Sequence, residues 1–366
     1  LYIYHFLQYK LNRNESLTKY FYSLDDMLIK CVYNNDNCSA KDFVEFLSPT
    51  YGLCHTFNAL SSSINNGSVH YNNENGYSGS LDLDFYLHTR QYIPYLTDGI
   101  SLVTMIHDNT QLPLIDRAEI RLRPGEKYKL GYSKRTNTLL PLPYTTCNSQ
   151  ATPGMQAMFD QSSDATYYVS QLIMYFEINH LIRYVKCGCV SPYEWSARYI
   201  VLPGQTNVIY SLLCNLSDPC YSQAADEFQS SPRLWQEYAS DCGLECHSNE
   251  FIIKKSSSAA PPPWSIDEIK QFVESTSFPL VENWATNWRS EIEKNYVGLS
   301  VICESTRVES YIQQASLGIV DVISNIGGQT GLWIGMSFLS LFEIAEMLVR
   351  LCRHQLHLIR NKLTKH

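Results

Sequence analysis

An apolar stretch from Ser324 to Ile344 carries small and polar residues in a regular pattern. Its glycines at positions 327, 331 and 335 are four residues apart, so on a helix they form one strip that another backbone can approach closely. Polar side chains in the stretch would be costly against lipid, so we expect them to face partner helices or water. They are Gln329, Ser337, Ser340 and Glu343. The pattern predicts the wall of a membrane pore, and dimerisation of two helices is the alternative use of the glycine strip.

The sequence contains no familiar catalytic motif. Gly-x-Ser-x-Gly, His-Glu-x-x-His, a phosphate-binding loop and the Rossmann fingerprint are all missing, and the ten histidines are scattered. We therefore expect no enzyme activity, no metal centre and no cofactor. The net charge of -8 at pH 7 would repel phosphate, so nucleic acid is not expected as a partner.

Charge beside the apolar stretch predicts its orientation. Five basic residues and no acidic residue follow Glu346, and a basic flank next to an apolar helix marks the cytoplasmic side of a membrane. We predict an extracellular domain over residues 1–314, a pore-lining membrane helix over 315–349 and a basic cytoplasmic tail over 350–366. A solvated helix end is the alternative interpretation of the tail.

The first residues do not form a signal peptide, because the run from Leu1 to Leu7 is short and contains polar groups. An extracellular domain must nevertheless be exported. We therefore expect a signal or a first membrane helix upstream of Leu1, which would make this chain a fragment of a longer protein.

Cysteine usage indicates an oxidising compartment. Twelve cysteines occur, and eleven of them precede the apolar stretch, some in close pairs such as Cys187 with Cys189. Such pairs predict disulfides outside the cell, while zinc binding is the alternative. Four glycosylation sequons favour the exterior, at Asn14, Asn37, Asn66 and Asn215.

Local patterns predict an α+β domain. Alternating apolar and polar residues, or short apolar runs, predict strands at Leu81–Leu87, Ile120–Arg123 and Tyr296–Ile302. Apolar residues have helical spacing over 17–28, over 167–186 and over 266–288, the last with an interruption at Pro279. Residues 59–78 and 254–263 have the composition of loops or linkers. The cysteine cluster lies between residues 187 and 246.

Several motifs resemble the degenerin/epithelial sodium channel family, which includes the acid-sensing ion channels. The run from Gly327 to Glu343 is similar to the second transmembrane segment of that family. Other motifs precede it and occur along the chain in the same order as in the family. They are Cys31 with Cys38, Tyr51-Gly52-Leu53-Cys54, Arg123-Pro124-Gly125, Leu140-Pro141-Leu142-Pro143-Tyr144, Cys187-Gly188-Cys189 and Cys242 with Cys246. The chain is identified as a member of the family, of the acid-sensing-channel-like invertebrate type, lacking the first transmembrane helix.

The resemblance implies a trimer of subunits, each with a palm, knuckle, finger, thumb and β-ball and two membrane helices. It places the selectivity filter at Gly335-Met336-Ser337, where three copies would offer rings of oxygen ligands to Na+. It also places the amiloride-sensitive glycine at Gly331. Ser324 falls on the degenerin position, where a bulky side chain holds related channels open.

Two further roles rest on the resemblance. Glu343 and Glu346 fall below the filter, where carboxylates raise the local cation concentration; interfacial charges at a helix end are the alternative. Tyr144 falls on the aromatic position that couples the extracellular domain to the pore, although a tyrosine in this context also suits core packing.

The resemblance also implies four disulfides, Cys31–Cys38, Cys147–Cys246, Cys187–Cys220 and Cys189–Cys214. Three thumb cysteines of the family are replaced here, by Met174, Ile178 and Ser240. These replacements predict a looser thumb. They also leave Cys242 without an assigned partner. The partner expected for Cys54 would lie just upstream of Leu1, and Cys303 has no counterpart in the resemblance.

We therefore expect a subunit of a trimeric, amiloride-sensitive sodium channel in the plasma membrane, gated by a ligand or by mechanical force. Expected partners are membrane lipid, identical or related subunits, and an extracellular peptide or matrix ligand. A non-conducting receptor or adhesion protein, or a silent truncated subunit, is the alternative. Residues 95–98 keep a single acidic residue, Asp98, where acid-sensing members have a carboxylate-rich insertion, so we expect no steep proton activation between pH 7 and 5.

Overall fold

A computed structural model describes residues 2–60, 69–72, 74–92, 99–111, 113–115, 118–162, 171–193, 198–238, 243–334 and 338–363. The chain divides into two compact units, Leu1–Ile312 and Gln313–His366. The strands are β1 (Leu28–Tyr33), β2 (Asp36–Asn37), β3 (Phe43–Ser48), β4 (Gly52–Phe57), β5 (Leu81–Tyr86), β6 (Leu102–Thr104), β7 (Ile120–Leu122), β8 (Glu126–Thr138), β9 (Tyr199–Val201), β10 (Val208–Tyr210), β11 (His247–Ala259), β12 (Tyr296–Cys303) and β13 (Glu309–Ile312). The helices are α1 (Tyr2–Asn12), α2 (Pro153–Ser162), α3 (Gln171–Cys187), α4 (Pro219–Ser230), α5 (Pro232–Tyr238), α6 (Ile266–Ser275), α7 (Trp284–Asn295), α8 (Ile319–Ile334) and α9 (Phe338–Leu363).

A seven-stranded sheet organises the first unit. Its order is β11-β8-β12-β5-β1-β2, and β13 also pairs with β8. The β8–β12 and β8–β13 pairs are parallel, and the other pairs are antiparallel. Three two-stranded ribbons lie outside this sheet, β3–β4, β6–β7 and β9–β10. Together with four disulfides, these elements form a mixed, cysteine-rich α+β domain.

Strand β5 shows how the alternating pattern selects the two faces of the sheet. Leu83 and Phe85 are buried in the main apolar cluster. On the opposite face, Asp84 accepts a 2.8 Å hydrogen bond from the hydroxyl of Tyr296 on β12, and Asp82 accepts one from Ser300. Alternating side chains point to opposite faces of a strand, so the predicted strand is confirmed and its acids bind the neighbouring strand.

The hairpin between β1 and β2 follows from two asparagines. Asn34 and Asn35 have φ of 51° and 67°, and they connect the paired residues Tyr33 and Asp36. Two successive left-handed residues define a type I′ turn, whose twist matches that of the flanking strands, and asparagine tolerates this conformation better than most residues.

The prediction of a linker over residues 254–263 is wrong for most of its length. β11 continues to Ala259 and pairs with β8 through all of its thirteen residues. Its lysines and serines suit an edge strand with mostly exposed side chains. The backbone pairing, which composition does not reveal, decides the structure, and the strand ends just before Pro261.

The prediction of a helix over 266–288 with an interruption at Pro279 is confirmed by α6 and α7. Ile266, Ile269 and Val273 of α6 are buried at helical spacing. They pack with Trp284 of α7 and with Tyr296 of β12 in a second apolar cluster. Both helices are thereby fixed to the sheet.

The prediction of a helix over residues 17–28 is wrong. Two short 3-10 turns occupy this segment before β1 begins at Leu28. Leu17 packs in a cluster with Val190, whereas Leu24 belongs to the main cluster with Phe85. Because the two leucines pack against different parts of the fold, one continuous helical face does not form.

Helix α1 was not predicted, and side-chain hydrogen bonds hold it in place. Arg198, only 4% exposed, donates to the Leu11 carbonyl at 2.9 Å and to Asn12 Oδ1 at 3.1 Å. Asn12 Oδ1 also accepts the backbone N–H of Leu213 at 2.9 Å. A buried guanidinium needs several acceptors, and the end of α1 provides two of them.

Candidate functional site

The sheet leads directly into the helical unit through β13. β11 occupies one edge of β8, so β12 and β13 share the other edge, pairing with residues 126–132 and 135–138 of β8. All four residues of β13 are exposed. Only residues 313–318 separate the end of β13 from the start of α8. The two units are therefore joined by a connection of only six residues.

Side chains also hold β13 to β8. The Arg135 guanidinium of β8 lies 3.4 Å from the Glu309 carboxylate and 5.0 Å from the centre of the Tyr311 ring, both on β13. The Tyr311 hydroxyl donates to the same carboxylate at 3.4 Å. Partly exposed ion pairs of this kind contribute roughly 0–1 kcal/mol. These side-chain contacts therefore add little to the backbone pairing of β13 with β8.

Tyr144 lies in a tight turn beyond the end of β8. Its N–H donates to the Pro141 carbonyl at 3.1 Å, and its side chain is 53% exposed. The turn is anchored close by through the Cys147–Cys246 disulfide. The ring is therefore not part of the apolar core of the first unit.

In the helical unit, α8 begins with a cap. The Gly318 N–H donates to the Asp321 carboxylate at 2.8 Å, which satisfies one free donor and places a negative charge at the positive end of the helix. Ser324 and Gly331 lie seven residues apart on α8, so they share one face with Gly327 and Gly328. Apart from its chain neighbours and the backbone of α8 itself, a Cβ placed on either of these last two glycines would meet no atom of the described residues within 4 Å.

The acidic residues below the predicted filter lie on α9. Glu343 and Glu346 are exposed, three residues apart on one face. Glu346 forms a 2.6 Å ion pair with Arg350 one turn further on. The predicted boundary between membrane helix and tail at residues 349 and 350 lies inside α9, which continues to Leu363.

Several predicted site residues lie outside the described residues. They are the filter Gly335-Met336-Ser337, the sequon at Asn66, the segment with Asp98, and the thumb positions Ser240 and Cys242. Among the helices that the structure does describe, none combines the length and the apolar character needed to cross a membrane. In that same part of the chain, no cluster of three or more His, Cys, Asp or Glu side chains is arranged to hold a metal ion.

Sequence reasoning missed the buried carboxylate of Asp108, because no local pattern indicates it. Its carboxylate, 8% exposed, accepts hydrogen bonds from Lys134 of β8 at 3.0 Å and from Asn249 of β11 at 2.8 Å. Thr110 donates its hydroxyl at 2.5 Å. Burial disfavours the charge, but the hydrogen bonds from Thr110 and Lys134 prevail and lower the pKa of Asp108. The segment between β6 and β7 is thereby fixed to the β8–β11 pair.

The structure contains the four disulfides that the resemblance implies: Cys31–Cys38, Cys147–Cys246, Cys187–Cys220 and Cys189–Cys214. At one position where the family has a thumb cysteine, Ile178 of α3 is buried against Phe228 of α4 and Ile182. Ile178 thus belongs to an apolar cluster between α3 and α4. Cys303 is a free thiol.

Comparison with known families identifies the family of the chain. Residues 3–347 match the family described as amiloride-sensitive sodium channel, a match that begins in α1 and ends in α9. The chain belongs to this family. The resemblance found in the sequence motifs is therefore confirmed.

Relatives within the amiloride-sensitive sodium channel family are distant but align over most of the chain. The epithelial sodium channel subunit gamma of Neoceratodus forsteri is 25% identical over 355 residues, which cover 94% of this chain and 50% of that protein. The degenerin-like protein asic-1 of Caenorhabditis elegans is 24% identical over 336 residues, covering 90% of this chain and 36% of that protein. The chain thus spans half or less of the length of these relatives.

Three of the four sequons of this family member can be placed. Asn14, Asn37 and Asn215 are exposed. Asn14 has a φ of 56° directly after α1, where Asn14 and Glu15 donate their N–H groups to the Leu11 and Lys10 carbonyls, as in a Schellman cap. The side chain of Asn215 accepts the Ser217 N–H at 3.0 Å.

Proposed function

We propose that this chain is part of a subunit of a trimeric, sodium-selective, amiloride-sensitive channel of the plasma membrane. The family match over residues 3–347 carries the proposal, because it includes both the sheet and the α8–α9 region. The first unit is the extracellular part, α8 and the start of α9 belong to the membrane-crossing, pore-lining segment, and the end of α9 is cytoplasmic.

In this proposal each predicted site residue has a role in conduction. Three copies of Gly335-Met336-Ser337 supply rings of carbonyl and hydroxyl oxygens that replace the hydration shell of Na+. Gly331 lies near the site of amiloride block. Glu343 and Glu346 raise the cation concentration at the inner side, with Arg350 reducing the effect of Glu346 through the observed ion pair.

Gating in this proposal uses the connection from sheet to helix. A peptide or matrix ligand, or mechanical force, acts on the extracellular unit and changes the pairing of β13 with β8. The six residues after β13 pass the change to α8, where Ser324 lies. Tyr144, exposed beyond the end of β8, is the position to which the resemblance assigns a coupling role. Identical or related subunits and the surrounding lipid complete the assembly.

Current recordings on the full-length protein test the proposal. We expect an amiloride-sensitive inward Na+ current when it is expressed alone or with related subunits. Substituting Ser324→Phe should raise the basal current, because a bulky side chain on the glycine face keeps the helices apart. Ile326→Phe is the matched control, since Ile326 is exposed on the opposite face of α8.

The same recordings identify the alternatives. Surface-expressed protein without current under either condition would favour a non-conducting receptor or a silent subunit. A Ser324→Phe variant that behaves like the control would show that the assigned register of α8 is wrong. Acidification from pH 7 to 5 should produce no steep activation, and a large transient inward current would contradict that expectation.

A further inference from the structure

The glycosylation sequon at Asn37 contains a disulfide cysteine. In Asn37-Cys38-Ser39, the middle residue is bonded to Cys31, which is only 6% exposed. Asn37 itself is exposed on β2 and pairs with Val32 of β1. The Cys38 N–H donates to the Cys31 carbonyl at 3.0 Å. The acceptor amide is accessible, but its backbone is held in a closed hairpin.

The third residue of the sequon is also engaged. The Ser39 N–H donates to the Asp42 carboxylate at 2.8 Å, and the Ser39 hydroxyl lies 3.3 Å from the same oxygen. Asp42 returns a 3.0 Å hydrogen bond from its N–H to the Ser39 carbonyl. This capping box fixes the hydroxyl that a sequon must present to the transferase.

We propose that closure of the Cys31–Cys38 disulfide and glycosylation of Asn37 are competing events. The glycan is added only while the hairpin is open, and closure of the disulfide ends the opportunity. The glycan occupancy of Asn37 thus depends on whether glycosylation or disulfide closure occurs first. The inference rests on the extracellular placement given in the proposed function.

Both competing steps have a complete chemical balance. In glycosyl transfer, the Asn37 Nδ2 forms a bond to C1 of the sugar, the bond from C1 to a lipid pyrophosphate breaks, and the amide loses a proton to a base of the transferase. In disulfide closure, the thiolate of one cysteine attacks a mixed disulfide between the other cysteine and an oxidised dithiol oxidoreductase. The two thiols lose two electrons and two protons in total, and the oxidoreductase is left as its dithiol.

The other described sequons lack this coupling and serve as internal references. Asn14-Glu15-Ser16 contains no cysteine. Asn215-Leu216-Ser217 directly follows Cys214, whose bond to Cys189 is separate from the Cys31–Cys38 bond. Oxidation at Cys31 and Cys38 should therefore leave the occupancy of both sites unchanged.

Glycopeptide mass spectrometry on the full-length protein, expressed in a secretory eukaryotic cell, tests the proposal. Cys31→Ser removes the competing bond and leaves the Asn37-Cys38-Ser39 sequon intact. We expect Asn37 occupancy to rise by at least about twofold, since glycosyl transfer is then unopposed, with Asn14 and Asn215 unchanged. Cys187→Ser is the matched control, because its bond to Cys220 lies outside every sequon.

A second measurement tests the proposal without the Cys31→Ser substitution, in case that variant misfolds. The unsubstituted protein is synthesised with and without a membrane-permeant thiol reductant, and Asn37 occupancy should rise with the reductant. Unchanged or complete occupancy of Asn37 in all conditions, with glycans at Asn14 and Asn215, would overturn the competition alone. Absence of glycan at all three sites in every condition would overturn the extracellular placement as well.

Discussion

Replacing Asp108 by alanine should destabilise the first unit, because the carboxylate connects three segments. It accepts hydrogen bonds from Lys134 on β8, from Asn249 on β11 and from Thr110 in its own segment. Hydrogen bonds to a charged group contribute about 1.5–3 kcal/mol each in net terms, and their effects do not add. The Lys134 side chain remains 35% exposed, so it can recover part of its solvation. We expect a loss of about 2–3 kcal/mol.

Unfolding of the full chain in detergent, followed by tryptophan fluorescence, measures this loss. A change of about 2–3 kcal/mol corresponds to a fall in Tm of roughly 4–12 °C. Asp108→Asn should lose less, since the amide oxygen still accepts a hydrogen bond. Asp226→Asn is the control, because Asp226 is exposed on α4 and surface substitutions usually change stability by less than about 0.5 kcal/mol.

The pH dependence of stability distinguishes the effect of the Asp108 charge from the effect of its side-chain shape. The pKa of Asp108 is lowered in the folded protein, so its contribution is fully present above the unfolded pKa of about 3.9 and is lost as the pH falls through the lower folded pKa. The difference between the unsubstituted protein and Asp108→Asn should therefore shrink below about pH 4. An Asp108→Ala protein as stable as the control, or a difference independent of pH, would refute the reasoning.

Three further outcomes are expected. Cys147→Ser opens a disulfide that spans 99 residues, and chemical unfolding should show a loss of about 3–5 kcal/mol; an unchanged midpoint would contradict this. Ile178→Ala removes a side chain that is 6% exposed and should cost about 2–4 kcal/mol, with loss of the α3–α4 contact visible as faster proteolysis. Burial lowers the pKa of His88, partly opposed by its hydrogen bond to the Asp26 carbonyl, so its stabilising effect is present above the unfolded pKa of about 6.5 and declines as pH falls below it. His88→Gln should flatten the Tm profile between pH 7 and 5, and an unaltered profile would exclude His88 as the titrating group.

The candidate site was only partly accessible to sequence reasoning. Ser324 and Gly331 share a face because both lie on one regular helix, and helical periodicity is a local property. The Arg135–Glu309 pair could not be found in this way. Its members are 174 residues apart and meet only through the parallel pairing of β8 with β13. Asp108 likewise depends on donors from two distant strands.

In the fold, too, local elements were predictable from the sequence and contacts between distant segments were not. Strand β5 and helix α6 were predicted because alternation and helical spacing identify a buried face within a few residues. The composition of residues 254–263 predicts a linker or loop, yet residues 254–259 are the end of a strand that pairs with β8 along its whole length. The leucines at positions 17 and 24 had helical spacing but belong to different clusters.

By itself the sequence determined the family, through motifs that occur in order along the chain, and through the resemblance it implied the four disulfide pairs. It also determined the elements whose pattern is local. The tertiary structure alone decided which distant segments meet, namely β13 on the free edge of β8, Asp108 between β8 and β11, and the closed hairpin around Asn37. The physical reason is that hydrogen bonds and burial between segments depend on the complete fold, whereas propensity and periodicity act over a few neighbouring residues.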